Sequence, residues 1–194
     1  MNVSLEAVKR LREMTGAGVV DAKKALEEGG SEEKAIEILK KRGQARALKK
    51  SDRDAREGIV VSYVHSNNRI GVLVKLLCET DFVARNESFH TLAHDIAMHI
   101  AAMNPQVLSP EEFSAEDVAK ERVLWEDQLS QEKKSDSVKA TILAGKEKKL
   151  REEAALLTQA FVKDPSKTIG DLLAESISKM GENIRVGEFN RLEL

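Results

Sequence analysis

Three histidines, His90, His94 and His99, fall within one predicted helix and are the first residues to weigh for metal binding or proton transfer. At about 100° per residue His90 and His94 share a face, whereas His99 points to the opposite side. One helix therefore cannot close a three-ligand site, and the spacing predicts helix-surface histidines and no metal. His65 lies in a polar turn, where a structural or contact role is expected rather than general-base work. Cys78 is the only cysteine, which excludes an internal disulfide and a cysteine zinc site. Beside Glu79 its thiol is expected to titrate high and to make a poor nucleophile. The glycines of Thr15-Gly16-Ala17-Gly18 follow a helix rather than a strand, and no loop ends in Gly-Lys-Ser/Thr. No direct nucleotide binding, no cofactor and no catalytic set are predicted.

The most unusual arrangement is Cys78-Glu79-Thr80-Asp81-Phe82-Val83-Ala84-Arg85-Asn86, where a strand ends and a large aromatic is carried on the turn into a helix. Two readings stand. Thr80 or Asp81 caps a short helix, Asn86 caps the next, and Phe82 packs inward beneath them. Alternatively, Phe82 is an exposed knob flanked by a carboxylate, the composition of an interface hot spot.

The elements that must position these residues are legible from periodicity. Leu5, Val8 and Leu11, then Val19, Ala22, Ala25 and Leu26, then Ala35, Ile36 and Leu39 predict three short helices broken at Gly16–Gly18 and Gly29-Gly30-Ser31. From Lys40 to Lys50, Lys40, Lys41, Arg42, Arg46, Lys49 and Lys50 appear with no acid, and a basic linker is placed there. It reads either as a solvated helix end with a hinge, or as a footprint for RNA or an acidic protein surface. Ile59–Val64 and Gly71–Leu77 flank the polar turn 65–69 and predict a β-hairpin. Neither strand alternates cleanly, so both sheet faces are expected to be covered, by helices of this chain or by a partner. Leu92, Ile96, Ile100 and Met103 make a helical stripe ended at Asn104-Pro105, and Ser109-Pro110-Glu111-Glu112 has a capping-box pattern. Ala115–Arg151 predicts long, solvated helices. Ile169, Leu172, Leu173, Ile177 and Met180 form another stripe, and Asn183–Leu194 a closing strand whose phase slips near Gly187, where a β-bulge is expected. The order describes an α+β fold with an antiparallel sheet, divided into a three-helix N-terminal domain with its basic linker at 1–54 and an α+β core at 55–194.

The 194 residues include 31 basic and 33 acidic side chains, a formal charge of −2 that argues against tight nonspecific nucleic-acid binding. Met1-Asn2-Val3-Ser4 opens into charged helical sequence with no apolar signal core, and no apolar run approaches membrane-spanning length. A soluble, cytoplasmic protein is expected. Aromatic residues are few, with one Trp, one Tyr and five Phe, so an exposed one requires an explanation beyond core filling.

Leu11-Arg12-Glu13-Met14-Thr15-Gly16-Ala17-Gly18, Asp21-Ala22-Lys23-Lys24-Ala25-Leu26, Glu57-Gly58 with Tyr63 and His65, the run at 78–86, and Gly181-Glu182-Asn183-Ile184-Arg185-Val186 together resemble the elongation factor Ts family across nearly the whole chain. The resemblance implies an N-terminal three-helix domain like the ubiquitin-associated fold and a core on a three-stranded antiparallel sheet. It implies guanine-nucleotide exchange on elongation factor Tu, with no reaction catalysed by this chain. It also implies that Thr80, Asp81, Phe82 and Val83 form the segment that dislodges Mg²⁺ from that partner. Val19, Val20 and Lys23 correspond to positions that hold the partner's GTPase domain, with Val19 and Val20 smaller than the side chains several members carry. The chain looks like a short member with one core repeat, for which a homodimer is expected. An RNA- or ribosome-binding module using the basic stretch is the rival reading.

Overall fold

The computed structural model describes residues 3–194; Met1 and Asn2, the first residues of the charged opening, lie outside them. The elements are α1 (Leu5–Thr15), α2 (Val19–Gly29), α3 (Glu32–Lys50), β1 (Glu57–Val64), β2 (Ile70–Cys78), α4 (Asp81–Ala84), α5 (Glu87–Met103), α6 (Ala115–Ser130), α7 (Asp136–Ala154), β3 (Ala160–Phe161), β4 (Asp164–Thr168), α8 (Ile169–Met180) and β5 (Arg185–Glu193). The architecture is α+β, with a three-stranded antiparallel sheet in the order β1-β2-β5 and a two-stranded β3-β4 hairpin.

The chain divides into two compact units. The first takes in the chain up to Met98 together with Gly170–Leu194, and the second is His99–Ile169.

In the first unit the opening helices start and stop where local chemistry dictates. Ser4 accepts from the Ala7 N–H at 3.1 Å and Ser31 from the Lys34 N–H at 3.3 Å, each satisfying a helix-end donor. Gly16 ends α1 in the left-handed region at φ 67°, its N–H returning to the Arg12 carbonyl at 2.8 Å, a geometry that disfavours any side chain. Val8, Leu11, Ala22, Ala25, Leu26 and Ala35 are buried together, with Ile36, Ile38 and Leu39 packed against them.

The basic stretch read as a linker is instead the second half of α3, helical through Lys50. It lies along α8. Lys40 pairs with Asp171 at 2.8 Å, Gln44 donates to the same carboxylate at 2.8 Å, Arg46 reaches Ser178 at 3.3 Å, and Lys50 donates to the Gly181 carbonyl. Arg42 pairs with Glu28 at 2.5 Å, and Arg46 forks onto both oxygens of Asp21 at 3.1 Å. Three of the six cations, Lys40, Arg42 and Arg46, are thus paired with acids of their own chain, and Lys50 is tied to a backbone carbonyl, which reduces what the stretch can offer a polyanion.

Strand β2 is central, and its pairing with β1 runs unbroken from Glu57↔Cys78 to Val64↔Gly71. Gly58 shows why that start needs glycine: a Cβ there would stand 2.1 Å from the Leu76 carbonyl oxygen, at φ 151°. The β2-β5 ladder slips between Lys75 and Leu76, leaving Gly187 out of the pairing, the bulge expected from the slip in phase. Val72, Val74, Leu76 and Cys78 are buried on one face of β2, and on that side Tyr63 meets His94 of α5 edge-on with ring centroids 5.7 Å apart. Apart from Leu77, which is buried, the other face is uncovered in the single chain, so of the two covers expected there, helices of this chain or a partner, the chain's own helices do not supply one. Val60 (67% exposed), Val64, Leu73 and Leu192 (72%) lie there.

In the second unit the Ser109–Glu112 pattern yields a single 3₁₀ turn, Pro110–Glu112, rather than a helix start. Helix α6 begins later, capped by Ser114, whose oxygen accepts from Glu116 and Asp117. Phe113, Val118 and Ala154 form a small core with Val107 and Leu150, while Val123, Leu124 and Val138 stay exposed, as expected of solvated helices. His99 departs from the reading as a surface histidine: it is fully buried. No helix among the described residues is long and apolar enough to cross a membrane.

Candidate functional site

The 78–86 segment resolves the two readings of Phe82 by combining them. Strand β2 ends at Cys78, and two residues later Thr80 caps the single turn α4, its Oγ1 accepting from the Val83 N–H at 3.4 Å. Asn86 then accepts from the Ser88 N–H at 2.8 Å at the start of α5. Both caps exist, yet Phe82 does not pack beneath them. It is 81% exposed, whereas Phe89, one element on, is 0% exposed and is the aromatic that fills the core. A single-turn helix contributes almost no stability of its own, so the direction of Phe82 is set by what holds the turn.

The hold comes from across the sequence. The Glu182 carboxylate accepts from the Glu79 N–H at 3.1 Å and the Thr80 N–H at 3.0 Å through Oε2, and from the Thr80 hydroxyl at 2.6 Å through Oε1. In return Glu79 Oε1 accepts from the Asn183 N–H at 2.6 Å and lies 3.6 Å from the Arg53 guanidinium. Buried Asn183 donates to the carbonyls of Ser51 and Arg53, at 3.3 and 2.8 Å. The two-residue link between β2 and α4 is thus laced to the segment after α8 and to the chain leaving α3.

Asp81 faces outward beside Phe82, with Arg85 3.0 Å away across one helical turn. An exposed pair of this spacing contributes only about 0.3–0.5 kcal/mol, so the carboxylate can exchange partners at little cost. Cys78 donates weakly to the Thr80 carbonyl at 3.2 Å. Its thiol is pushed up to about 11, first by burial and then by the charge of Glu182 and, less, of Glu57. The rise matches the expectation, but the charges responsible come from residues other than the adjacent Glu79. The thiol is inert at neutral pH.

Val19 and Val20 open α2 on the surface, 52% and 65% exposed, and Lys23 stands one turn on, 3.8 Å from Glu27. Next to Val20, Asp21 is gripped by Arg46, which ties this corner to α3. Tyr63 Oη and His65 Nδ1 are 3.0 Å apart, and the His65 N–H donates to the Ile70 carbonyl at 2.9 Å, so His65 closes the hairpin. His90 and His94 are exposed on α5, with His99 on the far side. No group of three or more His, Cys, Asp or Glu among the described residues is placed to hold a metal.

Residue-by-residue reasoning missed Glu182. Its only signal is membership in the Gly181–Val186 run, which says nothing of a partner about a hundred residues upstream.

A family model described as Elongation factor TS matches residues 7–194. The chain is 47% identical to Elongation factor Ts of Thermotoga petrophila, across 100% of this chain and 97% of that one. It is 49% identical to Elongation factor Ts of Thermotoga neapolitana, with 100% and 98% covered, and 49% identical to that of Rubrobacter xylanophilus, with both chains covered completely.

Proposed function

The chain belongs to the elongation factor Ts family of translation elongation factors, and on that footing we propose that it promotes GDP release from elongation factor Tu by displacing Mg²⁺. Thr80, Asp81, Phe82 and Val83 form the displacing segment, and Val19, Val20 and Lys23, on an N-terminal domain spanning 1–54, hold the partner's GTPase domain. The observation that carries this reading is Phe82, an aromatic ring 81% exposed on a turn that gains nothing for the fold by leaving it there.

The mechanism is linkage. A GTPase holding GDP with nanomolar affinity presents about 12 kcal/mol of binding free energy, much of it in phosphate contacts and Mg²⁺. Contacts made only with the nucleotide-free conformation lower that affinity by their own free energy. Phe82 wedges into the partner beside the metal site, and Asp81, released from Arg85, competes for polar contacts around the ion. By reciprocity GDP with Mg²⁺ weakens binding of this chain by the same factor. No covalent bond is made or broken, so the chain acts as a binding protein, and it needs no nucleotide or cofactor of its own. It works in the cytoplasm, where its partner cycles.

The core at 55–194 also pairs with a second copy of itself. The uncovered apolar face of the β1-β2-β5 sheet, with Val60, Val64, Leu73 and Leu192, supports this, because two such faces stack at about 10 Å and shed water from both.

The decisive experiment is release of labelled GDP from elongation factor Tu with and without this protein. Stimulation that excess Mg²⁺ opposes is expected. Release at the intrinsic rate, with the two proteins shown to associate, overturns the exchange reading and leaves only a tether.

A further inference from the structure

We propose that Glu182 is the positioning residue that aims Phe82, and that Thr80 serves this alignment rather than touching the partner; the inference rests on the displacing role proposed for the 80–83 segment. Three donors converge on one carboxylate, and all three belong to the two residues that join β2 to α4: the N–H groups of Glu79 and Thr80 at 3.1 and 3.0 Å, and the Thr80 hydroxyl at 2.6 Å. With no strand partner beyond Cys78, these N–H groups would otherwise be left to water.

The hydroxyl bond is the one that sets direction. By donating to Glu182 Oε1, Thr80 is held in the rotamer whose oxygen lone pair faces the Val83 N–H, the cap of α4. The hydroxyl's single proton and one of its two lone pairs are then used inside the chain, which leaves the partner only one lone pair to bind at Thr80. The turn is four residues long and cannot persist without its cap, so the chain of control runs from Glu182 to Thr80 to the α4 axis to the Phe82 ring. Glu182 itself is anchored by its neighbour: the Asn183 N–H donates to Glu79 Oε1 at 2.6 Å, so each segment supplies a carboxylate to the other's backbone. A knob already fixed in its bound direction avoids the ordering cost at the moment of docking.

The test uses the intact protein in two parallel measurements, amide hydrogen exchange of the free chain and GDP release from elongation factor Tu over a range of factor concentrations. For Glu182→Ala, exchange at the Glu79, Thr80 and Val83 amides rises about tenfold or more, and maximal release falls about tenfold, the effect of losing charge-assisted bonds to a partly buried carboxylate. The concentration for half-maximal release moves by less than about threefold, since the proposed α2 contact still recruits the partner. Glu182→Gln, which keeps one acceptor oxygen but cannot accept from the hydroxyl through its NH₂, falls between wild type and alanine. Thr80→Val reproduces the loss without touching Glu182, and combining it with Glu182→Ala adds little further. Full release by Glu182→Ala while Phe82→Ala has lost it overturns the inference. So does a loss of release with unchanged exchange at the three amides. If wild type does not stimulate release at all, the proposed function fails instead, and the exchange measurement still decides whether Glu182 holds the turn.

Discussion

Phe82 and Phe89 lie either side of Asn86, on consecutive helices, and have opposite fates: one ring is 81% exposed and the other completely enclosed. Composition does not separate them, and neither does local propensity. What separates them is which element carries each ring and how that element is held. Phe89 sits on the long helix α5, in a buried row with Leu92, Ala93 and Ile96, so its direction is imposed by the hydrophobic effect. Phe82 sits on one turn whose direction is imposed by hydrogen bonds to Thr80 and, through it, Glu182. The lesson is that apolar burial orients the rings a fold needs, whereas an outward ring must be aimed by polar contacts.

Truncation should expose the difference most sharply at Phe89. Phe89→Ala is expected to cost about 3–5 kcal/mol of stability, read as a fall in the urea midpoint, because the enclosed site cannot collapse to fill the cavity. Phe82→Ala is expected within about 0.5 kcal/mol of wild type in the same assay. In the GDP-release assay it should lose about 2 kcal/mol of stimulation, roughly thirtyfold, as a central interface anchor does. A large stability loss at Phe82, or undiminished release, erases the contrast between the two rings.

Most of what burial determines could be read in the sequence, and most of what distant polar contacts determine could not. The break at Gly29-Gly30-Ser31, the glycine end of α1, the hairpin and the bulge near Gly187 follow from short-range chemistry and period. The β3-β4 hairpin escaped because Asp164-Pro165-Ser166-Lys167-Thr168 carries neither β-branched alternation nor an apolar face. The helical state of 40–50 escaped because Gly43 and a run of cations argue for a break. Its glycine is buried, with the Ala174 carbonyl 4.0 Å from where a Cβ would stand, and its cations answer acids as far away as Asp171. At the site, Phe82 could be singled out as unusual, but whether it faced in or out depended on Glu182, which no local pattern connects to it.

The uncovered sheet face extends the comparison from one ring to a surface. Apolar side chains on both faces blurred the alternation of β1 and β2, and only one face is filled by the chain itself. Leu73→Asp, in the middle of the open face, is expected to convert the proposed dimer to monomer in sedimentation equilibrium. It should also remove any dependence of the melting temperature on protein concentration. The protomer's secondary structure should be unaltered, since Leu73 touches the outer face alone. A wild-type chain that sediments as a monomer at tens of micromolar removes this surface from the set of outward features with a purpose.

His99 tests the other half of the lesson, a polar group oriented by burial. Its ring is enclosed against Phe161 at 6.2 Å, Nδ1 accepts from the Val162 N–H at 3.2 Å, and Nε2 is 3.0 Å from Gln159 Oε1. Because Nδ1 accepts, Nε2 carries the proton and donates to Gln159, and the neutral ring is fully satisfied. A second proton would set N–H against N–H at Val162. Burial is the main cause holding the imidazole below its ordinary 6.5, offset in part by the bond to Gln159. The unfolded chain therefore takes up a proton that the folded chain refuses, so stability is fully present above pH about 6.5 and declines as pH falls below it. Urea midpoints near pH 7.5 and 5.5 should show this acid slope. In His99→Phe the chain is weaker at both pH values, with Gln159 Oε1 and the Val162 N–H left unpaired, but the difference between them should shrink. An undiminished slope in that variant assigns the acid sensitivity to other groups and leaves His99 as packing only.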